Sequence, residues 1–66
     1  MTKLLERLPK HVVKELNRLK KDYRNSLYLK TSTRSEIYGY IHGLCDAGLI
    51  KQTERIDLYI YTTGEK

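Results

Sequence analysis

Six cations near the start of this 66-residue chain, Lys3, Arg7, Lys10, Lys14, Arg18 and Lys21, recur at steps of four, three, four, four and three. On a helix those steps return to one side at every turn, so the six form a continuous cationic stripe. Glu6, Glu15 and Asp22 fall off the line. A face that only solubilises a helix usually mixes signs, because opposite charges three or four residues apart pair with one another. A stripe that excludes acids suits a polyanion, above all a phosphate backbone, held with an affinity that falls steeply with salt.

The wider charge balance agrees. Residues 1–34 hold ten Lys/Arg against three Asp/Glu, a net +7, and residues 35–66 hold three against five, a net −2, within a total of +5. Such an asymmetry implies a polyanionic partner, either nucleic acid or an acidic membrane surface. The membrane is the weaker expectation, because the chain has no Trp or Phe to anchor a surface helix and no apolar run near the ~18 residues that span a bilayer. Charges at Lys3, Glu6 and Arg7 also interrupt the apolar core a signal peptide needs, and the single Cys45 excludes an internal disulfide, so a cytoplasmic setting is expected.

Catalytic chemistry finds little purchase. No Ser/His/Asp set, paired carboxylates or glycine-rich phosphate loop is present, so no catalytic residue is assigned and a non-enzyme without cofactor is expected. His42 and Cys45 stand one helical turn apart with His11 as a third nitrogen, but a structural zinc site takes four ligands in recognisable pairs, so no metal is expected. Cys45 reads as a small hydrophobe beside a core face.

These groups need elements to hold them. Leu5, Leu8, Val12, Leu16, Leu19 and Tyr23 repeat at three- and four-residue steps and predict a helix over about 9–23. Pro9 suits a first turn, so either a short helical turn precedes the main helix or one helix kinks there. Residues 24–32 read as a break followed by a short strand or one irregular helical turn. Thr33-Arg34-Ser35-Glu36 has the form of a capping box and predicts a helix over 34–47, with Ile37, Ile41 and Leu44 on its inner face and Gly48 as its left-handed stop. Strands over about 49–53 and 56–62 follow, the second alternating Ile56, Leu58 and Ile60 with Asp57, Tyr59 and Tyr61.

Leu44-x-x-Ala47-Gly48-Leu49-Ile50, followed by Arg55 and by Tyr59-x-Tyr61-Thr62-x-Gly64, resembles the end of a winged helix-turn-helix domain, as in small phage and archaeal-virus regulators and MarR- and PadR-like families. The resemblance implies one α+β domain over residues 1–66, two or three helices followed by a two- or three-stranded antiparallel wing. It also implies a DNA-binding transcriptional regulator with Arg55 at the wing tip. Two features depart from the pattern: the gap from Tyr23 to Thr33 exceeds the usual three or four residues, and the final glycine falls one position early.

The capped helix makes a poor base reader. Its outward positions are Ser35, Tyr38, Gly39, His42 and Asp46, and Arg34 is its one cation. Gly39, Gly43 and Ala47 instead form a small-residue stripe, whose foremost use is packing on the first helix and whose second is a symmetric dimer contact. Six tyrosines read chiefly as a half-buried rim, with base stacking as a further use. The expectation is therefore a homodimer on double-stranded DNA, contacting phosphates through the first-helix stripe with Lys30, Arg34, Ser35, Tyr38, His42, Lys51 and Arg55. The alternative is a protein-interaction module of the same shape, a phage-type modulator of a host protein that reads no sequence.

Overall fold

Pro9 divides the amino-terminal apolar register into two helices. The protein, seen in a computed structural model that describes residues 2–25 and 30–64, begins with α1 (Thr2–Arg7) and continues with α2 (Lys10–Asn25). The Pro9 carbonyl accepts hydrogen bonds from the amides of Val12 and Val13, so the proline sits where its missing N–H costs nothing. Leu8, Val12, Leu16, Leu19 and Tyr23 of the expected face are buried; Leu5 is half-buried and Leu4 takes the inner place. The chain then forms α3 (Lys30–Asp46) and α4 (Gln52–Thr63).

The wing is the main correction. Residues expected to form strands over 49–53 and 56–62 form the turn at residues 47–51 and α4, and no strand occurs among the described residues, so the α+β winged helix-turn-helix is replaced by an all-helical fold. The reason lies in which residues the core accepts. Leu58 and Thr62, four apart, are buried, whereas Ile56, which should share an inner face with Leu58 in a strand, is 64% exposed. Thr53-Glu54-Arg55, read as a hairpin connection, is the first turn of α4. The Glu54 amide donates to the Lys51 carbonyl at 2.9 Å, and the Lys51 amide donates to the Glu54 carboxylate at 2.7 Å. That carboxylate satisfies one of the amides a helix start leaves open.

The capped helix also starts earlier than expected. Thr33 and Glu36 lie inside α3, so they cap nothing, and Glu36 reaches Arg18 of α2 instead. Gly48 does end this helix as anticipated. At φ 79° it is left-handed, its amide donates to the Cys45 carbonyl and the Leu49 amide to the Leu44 carbonyl, the two bonds of a Schellman ending. Ile50, buried two residues later, pins the turn to the core. Of the doubtful segment 24–32, residues 24–25 belong to α2 and 30–32 to α3; residues 26–29 lie outside the described residues.

Helices α2, α3 and α4 pack pairwise around Leu16, Leu19, Ile37 and Leu58, none of which is exposed. Arg18 meets Glu36 and Arg34 meets Tyr23, so α3 runs against α2. Tyr38 meets Tyr59 and His42 meets Arg55, so α4 runs against α3. Helices α2 and α4 are therefore parallel neighbours, tied by Asn17 to Tyr61, while Arg7 at the end of α1 reaches Glu54 in the first turn of α4.

Candidate nucleic-acid interface

The core-facing side of α2 fixes which of its cations look outward. Lys10, Lys14, Lys21 and Arg24 are exposed and, with Asn17 between them, follow one another at steps of four, three, four and three. Glu15 and Asp22 stand on the flank towards α3, where Arg18 gathers them. Arg18 donates from Nε to Glu15 Oε1 and from Nη2 to Glu15 Oε2, both at 2.8 Å, from Nη1 to Asp22 at 2.8 Å, and from Nη2 to Glu36 at 3.0 Å. The bonds from Arg18 hold the Glu15 carboxyl below the usual glutamate value, and the hydrogen bonds to Glu15 and Glu36 raise Arg18 in turn.

Two members of the six-residue stripe are thus neutralised. Arg18 belongs to the carboxylate network, and Arg7 donates from Nη2 to both Glu54 oxygens at 2.7 and 2.8 Å. Arg7, and secondarily the Lys51 amide, keep the Glu54 carboxyl below its ordinary range. Lys3, Lys10, Lys14 and Lys21 remain exposed without an ion pair among the described residues.

Two cations outside the expected stripe complete the face. Arg24 continues its line, and Lys20 lies on the flank towards α4, its Nζ 4.1 Å from the centre of the Tyr61 ring. The Tyr61 hydroxyl donates to Asn17 Oδ1 at 2.6 Å, which holds that ring against α2. Between the carboxyl-terminal turns of α2 and α4 lies a depression of about 420 Å³ walled by Lys20, Arg24, Tyr61 and Gly64. Arg24 continues the three-and-four spacing from Lys21, but the helix expected over about 9–23 stops one residue short of it, whereas α2 runs on to Asn25.

The remaining expected contacts fall elsewhere. Arg34 is half-buried and turns inward, donating to the Tyr23 hydroxyl at 3.0 Å, so it does not flank a reading surface. Ser35 is exposed on α3, Lys51 is the exposed residue before α4, and the Lys30 side chain lies outside the described residues. Tyr38, His42 and Arg55 come together, not on the α2 face but along the seam between α3 and α4. There Tyr38 stacks on Tyr59 with ring centres 4.4 Å apart, and Arg55 Nη1 lies 3.4 Å from His42 Nδ1. Arg55 is half-buried in this groove rather than projecting from a wing tip.

Gly39, Gly43 and Ala47 are exposed, which overturns their packing against α2. A Cβ added at Gly39 or Gly43 would meet no atom within 4 Å. Each costs about 0.8–1 kcal/mol against alanine in a helix interior, and no contact among the described residues requires it. Among the tyrosines Tyr23 is buried, Tyr40, Tyr59 and Tyr61 are half-buried and Tyr38 is exposed, so the expected rim is present among those described. No three of His, Cys, Asp and Glu converge as metal ligands among the described residues, and none of the described helices is long and apolar enough to cross a membrane.

Comparison with known proteins finds no family model that matches the chain, no matching curated protein and no matching solved structure.

Proposed function

We propose that this protein binds duplex DNA through its phosphate backbone, with the outer face of α2 as the contact surface. The observation that supports this is the sorting of charge around that helix. Its acids are drawn to the α3 flank by Arg18, while Lys10, Lys14, Lys21 and Arg24 stand clear on the outside. From Lys10 to Arg24 the face is about 21 Å long, the axial length of about six base pairs, so its four cations can each meet a phosphate. Lys20 and Lys3 extend the field, and the face suits phosphates rather than base edges, because it is mostly lysine, which lacks a bidentate fork, and Asn17 at its centre accepts from the Tyr61 hydroxyl.

Anisotropy titration of a labelled duplex at several salt concentrations tests this. The logarithm of the binding constant should fall linearly with that of salt, and Lys10, Lys14, Lys21 and Arg24 replaced together by Gln should flatten the slope by roughly 3–4, about 0.9 per contact. Absence of binding at low salt, or a slope indifferent to the four substitutions, removes the proposal. A protein-interaction module remains the second reading, supported by the exposed Tyr38 and Ile56 beside the α3–α4 groove. It calls for one stoichiometric protein partner that survives nuclease and high salt.

A further inference from the structure

Across the bundle from the outer face of α2 lies the seam of α3 and α4, and its character is opposite. Residues 2–25 carry eight Lys/Arg and three Asp/Glu, which is the entire net charge of +5, whereas residues 30–64 carry four of each. The seam opens into an apolar groove of about 310 Å³ lined by Tyr38, Ile41, His42, Arg55, Ile56 and Tyr59. Tyr38 is 55% exposed and Ile56 64%, large apolar surfaces left in water. Beside the groove on α3 run Gly39 and Gly43, with nothing within 4 Å of where a side chain would begin.

We propose that a second copy of this chain covers this face, forming a two-fold dimer through α3 and α4. Charge decides between the possible occupants. The α2 face repels its own copy, whereas the seam side of α3 and α4 carries one charge of each sign, Arg55 and Asp46. The seam also carries Arg55, with a buried Nε that lacks an acceptor and no carboxylate partner, and on the same helix pair Asp46 has no cation among the described residues. A strongly acidic or basic partner would complement only one of these charges, whereas a copy brings both. A standard interface takes about 800 Å² from each partner, roughly a sixth of this chain's 4858 Å², which is about one face of a three-helix bundle. The exposed glycines let a neighbouring helix approach that face closely, and the dimer places the two α2 faces on its far sides.

Sedimentation equilibrium over a range of concentrations tests the proposal on the full chain. The expected mass is twice 7.8 kDa. Two variants separate the contact from the fold: Gly39→Gln with Gly43→Gln, which adds bulk only outside the chain and improves helix propensity, and Ile56→Glu, which charges an exposed position. Both should keep the helical circular dichroism of the parent and sediment at 7.8 kDa. A parent that stays monomeric up to about 1 mM overturns the proposal, whatever else the groove then holds. So does a doubled mass that persists in both variants.

Discussion

The outer face of α2 and the seam between α3 and α4 are both exposed helical surfaces of one small bundle, yet they ask for different partners. On α2 the cations face water and the acids are folded away onto one arginine; on α3 and α4 the charges cancel and aromatic, aliphatic and glycine positions dominate. The difference shows that a +5 chain need not be uniformly basic. Ion pairing within the fold, at Arg7–Glu54 and Arg18–Glu15, Asp22 and Glu36, decides which cations are left for a partner. Individually these exposed pairs contribute little to stability. Their larger effect is on the shape of the surface potential.

The comparison breaks most completely if the shared core fails. Leu16→Ala, at a position with no exposure, should cost about 2–5 kcal/mol, comparable with the whole stability of so small a domain. Urea denaturation should show that loss, and DNA binding and dimer mass should vanish together. Survival of one without the other would mean that the two faces belong to separable units.

A smaller effect distinguishes the glycines. Gly48→Ala should destabilise by about 1 kcal/mol, because its φ of 79° penalises a Cβ, whereas Gly39→Ala should stabilise the monomer by about 0.5–1 kcal/mol. Thermal denaturation of the two variants should therefore shift in opposite directions. A common sign at a concentration where both variants sediment as monomers would mean that Gly39 serves the fold of the monomer after all.

Acid should have the mildest effect near neutrality and a growing one below it. Glu15 and Glu54 have pKa values lowered by their arginines, so their contribution is present above the ordinary glutamate value of about 4.3 and is lost as pH falls through their folded values. Glu54→Gln should lower the thermal midpoint slightly at pH 7, with the gap to the parent closing in acid as the parent's Glu54 protonates. The same change releases Arg7, so DNA binding should strengthen and its salt dependence steepen by at most one contact. Unchanged binding would place Arg7 away from the duplex.

The helices α2 and α3 were legible because Val12, Leu16, Leu19 and Tyr23, and then Ile37, Ile41 and Leu44, repeat with a helical period over several turns. Gly48 was legible as a stop because few other residues accept its backbone conformation. The last segment was misread because Ile56-Asp57-Leu58-Tyr59-Ile60-Tyr61 fits two periods at once, alternation and a helical Leu58–Thr62 face. Six residues are too few for periodicity to choose, and β-branched and aromatic residues tilt the choice towards strand. Packing against α2 and α3 settles it, since a helix buries Leu58 and Thr62 together and sends Ile56 outward.

The sequence by itself determined where the cations lie along α2, the three-and-four spacing that aligns them, and the concentration of net charge in the first half of the chain. Those are properties of local order along one helix, and local order is written in spacing. Only the tertiary structure decided which of the cations are neutralised, which way the glycines face and that Gln52–Thr63 is a helix. Glu36 and Arg18 stand 18 positions apart and Arg7 and Glu54 stand 47 apart, so their pairing depends on how helices cross, which no local pattern specifies.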